Sequence, residues 1–379
     1  MLAETEPREE ALAGTMMYVG GCNRRLPYAK GANAKGIAAF VFDERTGATT
    51  PAGIVEGIDN PTFLSVDPHG PYLNATSEVL GGNEGDVTTY AIDASSGALT
   101  YLNKQPSRGA LAVHSCADRS GQFLFAVNYG VGAMTQRPNM SFVAYPRRDN
   151  GELGFPCFEA AHAGFGPNSA RQERPHAHSV RVSPDNRFVI VADLGVDALV
   201  VYRFDAPSGA IALYGAFLLA AGSGPRHFAF HPNRPFAYVV NELNSTLASL
   251  SYDSESGCFA LLATASTLPD ETPVSNLTSE IAIAPNGRHI YVANRGDDSI
   301  ALLDVDDASG IAALVDTFAC GGEIPRHIAL DPSGSFLAVA NQDSDRVSMF
   351  RVDPRSGALT KSGDVDTGTP TTIAFLRLA

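Results

Sequence analysis

Short runs rich in β-branched and aromatic residues recur along almost the whole chain, each bounded by Gly, Pro, Asp or Asn. That pattern predicts short β-strands joined by turns. Residues 325–363 carry it in full: PRHIALDPSGSFLAVANQDSDRVSMFRVDPRSGALTKSG. The segment parses as strand A (RHIAL), a tight Asp-Pro-Ser-Gly turn, strand B (FLAVAN), a loop, strand C (RVSMFRV), a second tight turn and strand D (GALTKSG). The same wording returns in NPTFLSVDPHGPYL, PHAHSVRVSPDNRFVIVAD, GPRHFAFHPNRPFAYVVN and SEIAIAPNGRHIYVAN.

A turn of the form D-x-x-[ST]-G sets the period. It begins at Asp43, Asp93, Asp205, Asp253, Asp306 and Asp353, and RRDNG from Arg147 fills the missing place. The closing glycines are 50, 54, 58, 48, 53 and 47 residues apart, the period of a four-stranded blade and too long for most solenoid repeats. The prediction is an all-β chain, a seven-bladed β-propeller of four-stranded antiparallel blades. Residues 16–23, 36–43 and 49–57 read as strands B, C and D of a blade lacking strand A, and residues 369–378 read as a strand A with nothing after it. The last strand then pairs with the first blade and closes the ring, removing the free edges that invite aggregation. Residues 1–14 read as a flexible tail and 15–379 as one domain.

Antiparallel order puts the D–A and B–C connections on one face of the ring and the A–B and C–D turns on the other. The second set is uniformly tight. The long insertions, 22–35, 77–86, 129–140, 155–175 and 264–278, all fall in the first set, and function tends to sit on elaborated loops over a rigid scaffold. Aligning the repeats gives one column in strand A that reads Thr371, Thr62, Val113, His178, Arg226, Ser279, Arg326. The next column reads Thr372, Phe63, His114, Ser179, His227, Glu280, His327. Strand B ends in a recurring Asx (Asn128, Asp193, Asn241, Asn294, Asn341), followed by the varying Tyr129, Leu194, Glu242, Arg295 and Gln342. The Asx reads as a side chain capping its own turn. His178, Arg226, Glu242, Glu280, Arg295 and Arg326 converge near the channel mouth. Buried charge is costly unless paired or used. The group is therefore either an ion-pair network tying blades together or a site, with three arginines against two carboxylates leaving positive charge for an anionic ligand.

Composition narrows the classes. The chain is 44% hydrophobic with a net charge of −14, and its only lysines are Lys30, Lys35, Lys104 and Lys361. That balance argues against a nucleic-acid surface, which needs a net basic patch. Five scattered cysteines without a CxxC pair give no disulfide framework or zinc site and fit a reducing compartment. No stretch approaches 18 apolar residues, so no membrane span is expected, and the acidic N-terminus lacks the apolar core of a signal peptide. The expectation is a cytoplasmic protein, with its oligomeric state left open. GxSxG, HExxH, Walker and dinucleotide motifs are absent, so no cofactor or covalent nucleophile is expected. Asn74, Asn244 and Asn276 begin glycosylation sequons that a cytosolic chain would not use. His176 and His178 could pair on a metal, but no carboxylate cluster accompanies them and no metal is expected.

The segments RPHAHSVRVSPDNRFVIVADLGVD, GPRHFAFHPNRPFAYVVNELNST, SEIAIAPNGRHIYVANRGDDSI and PRHIALDPSGSFLAVANQDSD closely resemble the lactonase family of seven-bladed propellers. That family includes bacterial 6-phosphogluconolactonases and the fungal 3-carboxy-cis,cis-muconate lactonising enzyme. The resemblance covers essentially the whole chain and is strongest over residues 174–345. It implies that His178, Arg226, Glu242 and Arg295 are the cleft residues, with Glu280 keeping a family carboxylate. The expected activity is hydrolysis of the ester ring of a sugar lactone, 6-phosphogluconolactone or a related aldonolactone. Glu242 would serve as base for water, with His178 as the alternative or as proton shuttle, and Arg226 and Arg295 would hold the oxyanion or an anionic tail. Glu280, Arg326, His227, His327, Asn294 and Tyr129 would contact substrate, and Arg24, Arg25, Arg171 and Arg174 are weaker candidates for a phosphate or carboxylate. The rival readings are a muconate-type cycloisomerase using the same groups and a non-catalytic binding propeller, which Tyr291-Val-Ala-Asn echoes.

Overall fold

A computed structural model describes residues 14–68, 71–80, 84–130, 139–269 and 275–378. The expected tail, apart from Gly14, lies outside these, as do parts of three of the long insertions. The chain forms seven sheets of four antiparallel strands, each running A to D from the axis outwards. Six sheets are built from consecutive strands. The seventh joins the C-terminal strand (Pro370–Arg377) to Thr15–Gly21, Ile37–Phe42 and Thr49–Val55. Its register runs from Thr15 opposite Arg377 to Gly20 opposite Thr372, and Arg377 Nε adds a 3.0 Å hydrogen bond to Glu44. The ring is closed as the repeat count requires.

Seven apolar clusters fill the seven spaces between neighbouring blades. Each sheet is therefore buried on both faces, which is why the B strands are nearly all apolar instead of alternating. The repeated turn glycine belongs to this packing. Gly257 has φ +70°, and a Cβ there would stand 2.5 Å from the ring of Phe188 in the preceding blade. Gly209 meets Phe123 and Gly310 meets Phe236 in the same way. Tyr238 and Tyr291 also donate from strand B to the carbonyls of Gly310 and Gly357. The motif that sets the period is thus the contact by which one blade registers on the next.

The recurring Asx is structural by more than one route. Asp193 accepts from Gly195 N at 3.0 Å and caps its own turn, as expected. Asn128, Asn294 and Asn341 instead donate to the carbonyls of Ser107, Thr267 and Cys320, tying strand B to the chain leaving strand D.

Candidate functional site

Strand pairing explains how a neutral column in a repeat can carry chemistry. In every innermost strand the ladder slips at one point. Ala177 pairs with Asp193 and Ser179 with Ala192, so His178 is skipped. Arg226, Arg326, Thr62, Val113 and Thr371 are skipped in the same manner. In blade 6, Ser279 and Glu280 share the place opposite Ala293. A bulge sets two residues against one and re-aims a side chain. Ordinary alternation would send consecutive residues to opposite faces, whereas here Thr62 and Phe63, Arg226 and His227, and Arg326 and His327 all line the central channel.

At the mouth, Glu242 is held by three arginines. Arg226 Nε and Arg295 Nη2 each lie 2.9 Å from Glu242 Oε2, and Arg171 Nη2 donates to Oε1. Glu242 is buried, with its charged form penalised by desolvation, yet the guanidiniums of Arg295, Arg171 and Arg226 more than offset this. They hold its carboxyl far below the usual carboxylate range. Burial, then the nearby Arg295, brings Arg226 down to about 9, which leaves it charged at neutral pH. Arg226 also donates to Ser279 O, and Arg295 to Thr278 O. Arg171, on the insertion before blade 4, reaches the hydroxyl of Tyr129 at 3.3 Å, and Tyr129 sits edge-on to His178 with ring centres 5.6 Å apart.

Glu78, Arg326 and Tyr28 form the opposite rim. Arg326 stacks over the Tyr28 ring at 4.5 Å and lies 3.8 Å from Glu78, while the Tyr28 hydroxyl donates to Glu78. Gln342 fixes the loop by donating to Tyr28 O. Neither Glu78 nor Tyr28 was foreseen from the sequence. Glu78 occupies the column of Glu242, one residue beyond the end of strand B, but blade 2 has Ser77 in place of the recurring Asx. Extending the column through Ser77 would have found it. Tyr28 arrives from an insertion that belongs to no repeat position.

His178 is buried, with 6% of its surface exposed, and its Nδ1 is sealed without a hydrogen-bond partner. Burial first, then the positive charge of Arg226, pushes its pKa well below 6.5. The imidazole is therefore neutral at neutral pH. His176, two residues earlier, turns away to Tyr129 O at 2.8 Å and to Glu173.

The remaining candidates separate into layers. His227, Glu280 and His327 lie inside the channel beneath the mouth, with His227 Nδ1 2.8 Å and His327 Nε2 3.2 Å from the Glu280 carboxylate. Asn294 is not brought to the mouth; it is fully buried, with its amide committed to Thr267 O and Ser299. Arg24 pairs with Asp59 at 2.6 Å and, with Arg25, lines a separate groove of about 750 Å³ running between Val55–Asn60 and Tyr90–Lys104. Arg174 reaches Gly130 O and the Glu173 carboxylate at the rim. Among the described residues of the mouth, Arg171, Arg226, Arg295 and Arg326 stand against Glu78 and Glu242, an excess of positive charge.

Comparison with known proteins agrees with the fold. The family model described as "Lactonase, 7-bladed beta-propeller" matches residues 16–375. A 6-phosphogluconolactonase of Bacillus subtilis is 35% identical over 299 residues, 79% of this chain and 82% of that protein. A 6-phosphogluconolactonase of Formosa agariphila is 30% identical, covering 82% of this chain and 85% of its own. Among solved structures, the periplasmic gluconolactonase of Pseudomonas aeruginosa superposes with a TM-score of 0.86 at 28% identity, covering 96% of this chain and 99% of that one. Among the described residues, no helix is long and apolar enough to cross a membrane.

Proposed function

Since the chain belongs to the lactonase family of seven-bladed β-propellers, we propose that it opens the ester ring of an anionic sugar lactone, of the 6-phosphogluconolactone type, at the arginine-rich mouth. The observation that carries this reading is a neutral, buried His178 beside Arg226 and Arg326, at a mouth where, among the described residues, four guanidiniums meet Glu78 and Glu242.

A base must be able to accept a proton at working pH. Glu242, the first candidate from the sequence, is a poor acceptor because three arginines already stabilise its charged form. Its role in this reading is to fan Arg171, Arg226 and Arg295 around the mouth. The base is His178, the second candidate. Water attacks the lactone carbonyl carbon as His178 takes its proton, and the carbonyl oxygen becomes an oxyanion. Arg226 and Arg295 are suited to receive it, since Glu242 and the carbonyls of Ser279 and Thr278 fix both guanidiniums at the mouth. One such donor contributes about 10²–10³ in rate. The ring C–O bond then breaks, the departing alkoxide takes the proton from His178, and the open-chain acid leaves as its carboxylate with one proton released. Arg326 on the far rim is placed for a phosphate, with Tyr28 and Glu78 beside it for hydroxyls.

Proton release from 6-phosphogluconolactone and from unphosphorylated δ-gluconolactone tests the reading, with spontaneous hydrolysis subtracted. We expect kcat/KM at least tenfold higher for the phosphorylated lactone and His178→Gln to lose at least a hundredfold in kcat. Equal use of both lactones would remove the anionic-substrate claim. Turnover of 3-carboxymuconate in place of either would move the chain to the cycloisomerase branch.

A further inference from the structure

Beneath His178 the channel holds buried groups that the reaction as written leaves unused. Glu280 is fully enclosed and lies within hydrogen-bond reach of two imidazoles, His227 through Nδ1 at 2.8 Å and His327 through Nε2 at 3.2 Å. With the Nδ1 proton of His227 directed at Glu280, its Nε2 is left as an unprotonated acceptor, buried and without a partner. The ring of His178 lies 5.2 Å away, centre to centre, at 62°, and its Nδ1 is likewise buried without a partner. His114 Nε2, on a ring 5.1 Å from that of His227, is a third such nitrogen. Orphan nitrogens at this depth call for an explanation, and although no direct hydrogen bond joins His178 to His227, one bridging water or a small ring rotation would connect them.

We propose that His227 and Glu280 are positioning residues for His178. Glu280 fixes the tautomer of His227, and His227 Nε2 accepts the Nδ1 proton of His178, leaving His178 Nε2 unprotonated for water. A carboxylate behind an imidazole orients it and stabilises the imidazolium formed when it takes a proton; here a second imidazole carries that influence. The inference rests on His178 being the base.

The surroundings define the electrostatics. His178 is faced by Tyr129 from blade 3, Arg226 and His227 from blade 5 and Arg326 from blade 7. His227 is faced by His114 from blade 3, whose ring centre is 5.1 Å away, by Arg181 from blade 4, and by Glu242 from its own blade. Arg226 beside it on the same strand, Arg326 from blade 7, Glu280 and His327 also face it. Glu280 is the carboxylate on the far side of His227 from His178, so removing its charge lowers the basicity of the pair.

The test is the pH dependence of kcat for 6-phosphogluconolactone in Glu280→Gln, His227→Gln and the charge-preserving Glu280→Asp. For Glu280→Gln we expect kcat to fall ten- to a hundredfold and KM to change less than threefold. The acid limb of the profile should shift about one unit to lower pH, since an imidazolium without its counter-charge loses its proton earlier. Glu280→Asp should recover most of the rate. A folded Glu280→Gln or His227→Gln protein with wild-type kcat and an unmoved acid limb overturns the positioning role. If His178→Gln is inactive in that case, only this inference falls; if His178→Gln is active, the assignment of the base falls with it.

Discussion

Glu242→Gln keeps the size of the side chain and one carbonyl oxygen but removes the negative charge that three guanidiniums share. Two of those partners are buried, with Arg226 3% and Arg295 11% exposed, whereas Arg171 is 32% exposed and can turn to water. Stranding a buried charge by deleting its partner costs about 3–5 kcal/mol. With an unfolding entropy of about 2.1 cal/mol/K per residue, a chain of 379 residues should melt about 4–6 °C lower. Turnover should drop at least a hundredfold, because the arginines proposed to receive the oxyanion are no longer held in place. Scanning calorimetry with and without inorganic phosphate is the assay. Phosphate should raise the midpoint of the variant more than that of wild type, since the anion resupplies the missing charge. A variant that melts within about 1 °C of wild type and hydrolyses lactone normally would refute the view of Glu242 as the arginine anchor.

Other consequences are equally open to measurement. Gly257→Ala places a Cβ at φ +70° and 2.5 Å from Phe188, so urea unfolding should show a loss of about 2–4 kcal/mol; a loss below about 0.5 kcal/mol would contradict the interblade contact. Deleting residues 370–379 removes the strand that pairs with Thr15–Gly21 and should yield aggregating protein on size-exclusion chromatography; a monodisperse, active truncation would contradict closure by that strand. His327 is pushed down to about 4 by burial, and burial also holds His114, His178 and His227 well below the ordinary imidazole value. The unfolded chain therefore takes up these protons first, and stability falls as pH drops below about 6.5, by about 3 kcal/mol for His327 alone by pH 4. Unfolding free energy that stays flat between pH 7 and pH 5 would contradict the neutral histidine channel.

The fold could be read from the sequence because its signals are local. Each D-x-x-[ST]-G turn and each strand pair announces itself within about 40 residues, and the orphan strand at either end completes the count. The column holding His178, Arg226 and Arg326 was legible for the same reason, since all three sit at one repeat position. The slip in pairing that re-aims them was not, because register is a relation between strands and no single residue type marks the bulge in all seven blades. This is also why His227 and Glu280, expected to touch substrate, lie a layer deeper than Arg226. Asn294 was misplaced because adjacency to Arg295 in sequence does not carry over to direction on a strand. Glu78 escaped because a serine broke the Asx pattern, and Tyr28 because an insertion can reach the mouth from outside the repeat.

Closure by the final strand also affects when the protein becomes usable during synthesis. Arg377 and Glu44 meet across 333 residues of chain, a long loop whose entropic cost is met only at the last step. Until residues 370–377 have been made and docked, Thr15–Gly21 presents a bare strand, rich in Met, Tyr and Val, to every other nascent chain. Arg326 and the loop bearing Tyr28 face each other across that same unclosed gap. Translation and folding are thus tied together: a chain that stops short of that strand would be left open and adhesive, and the burden on chaperones would fall before it docks.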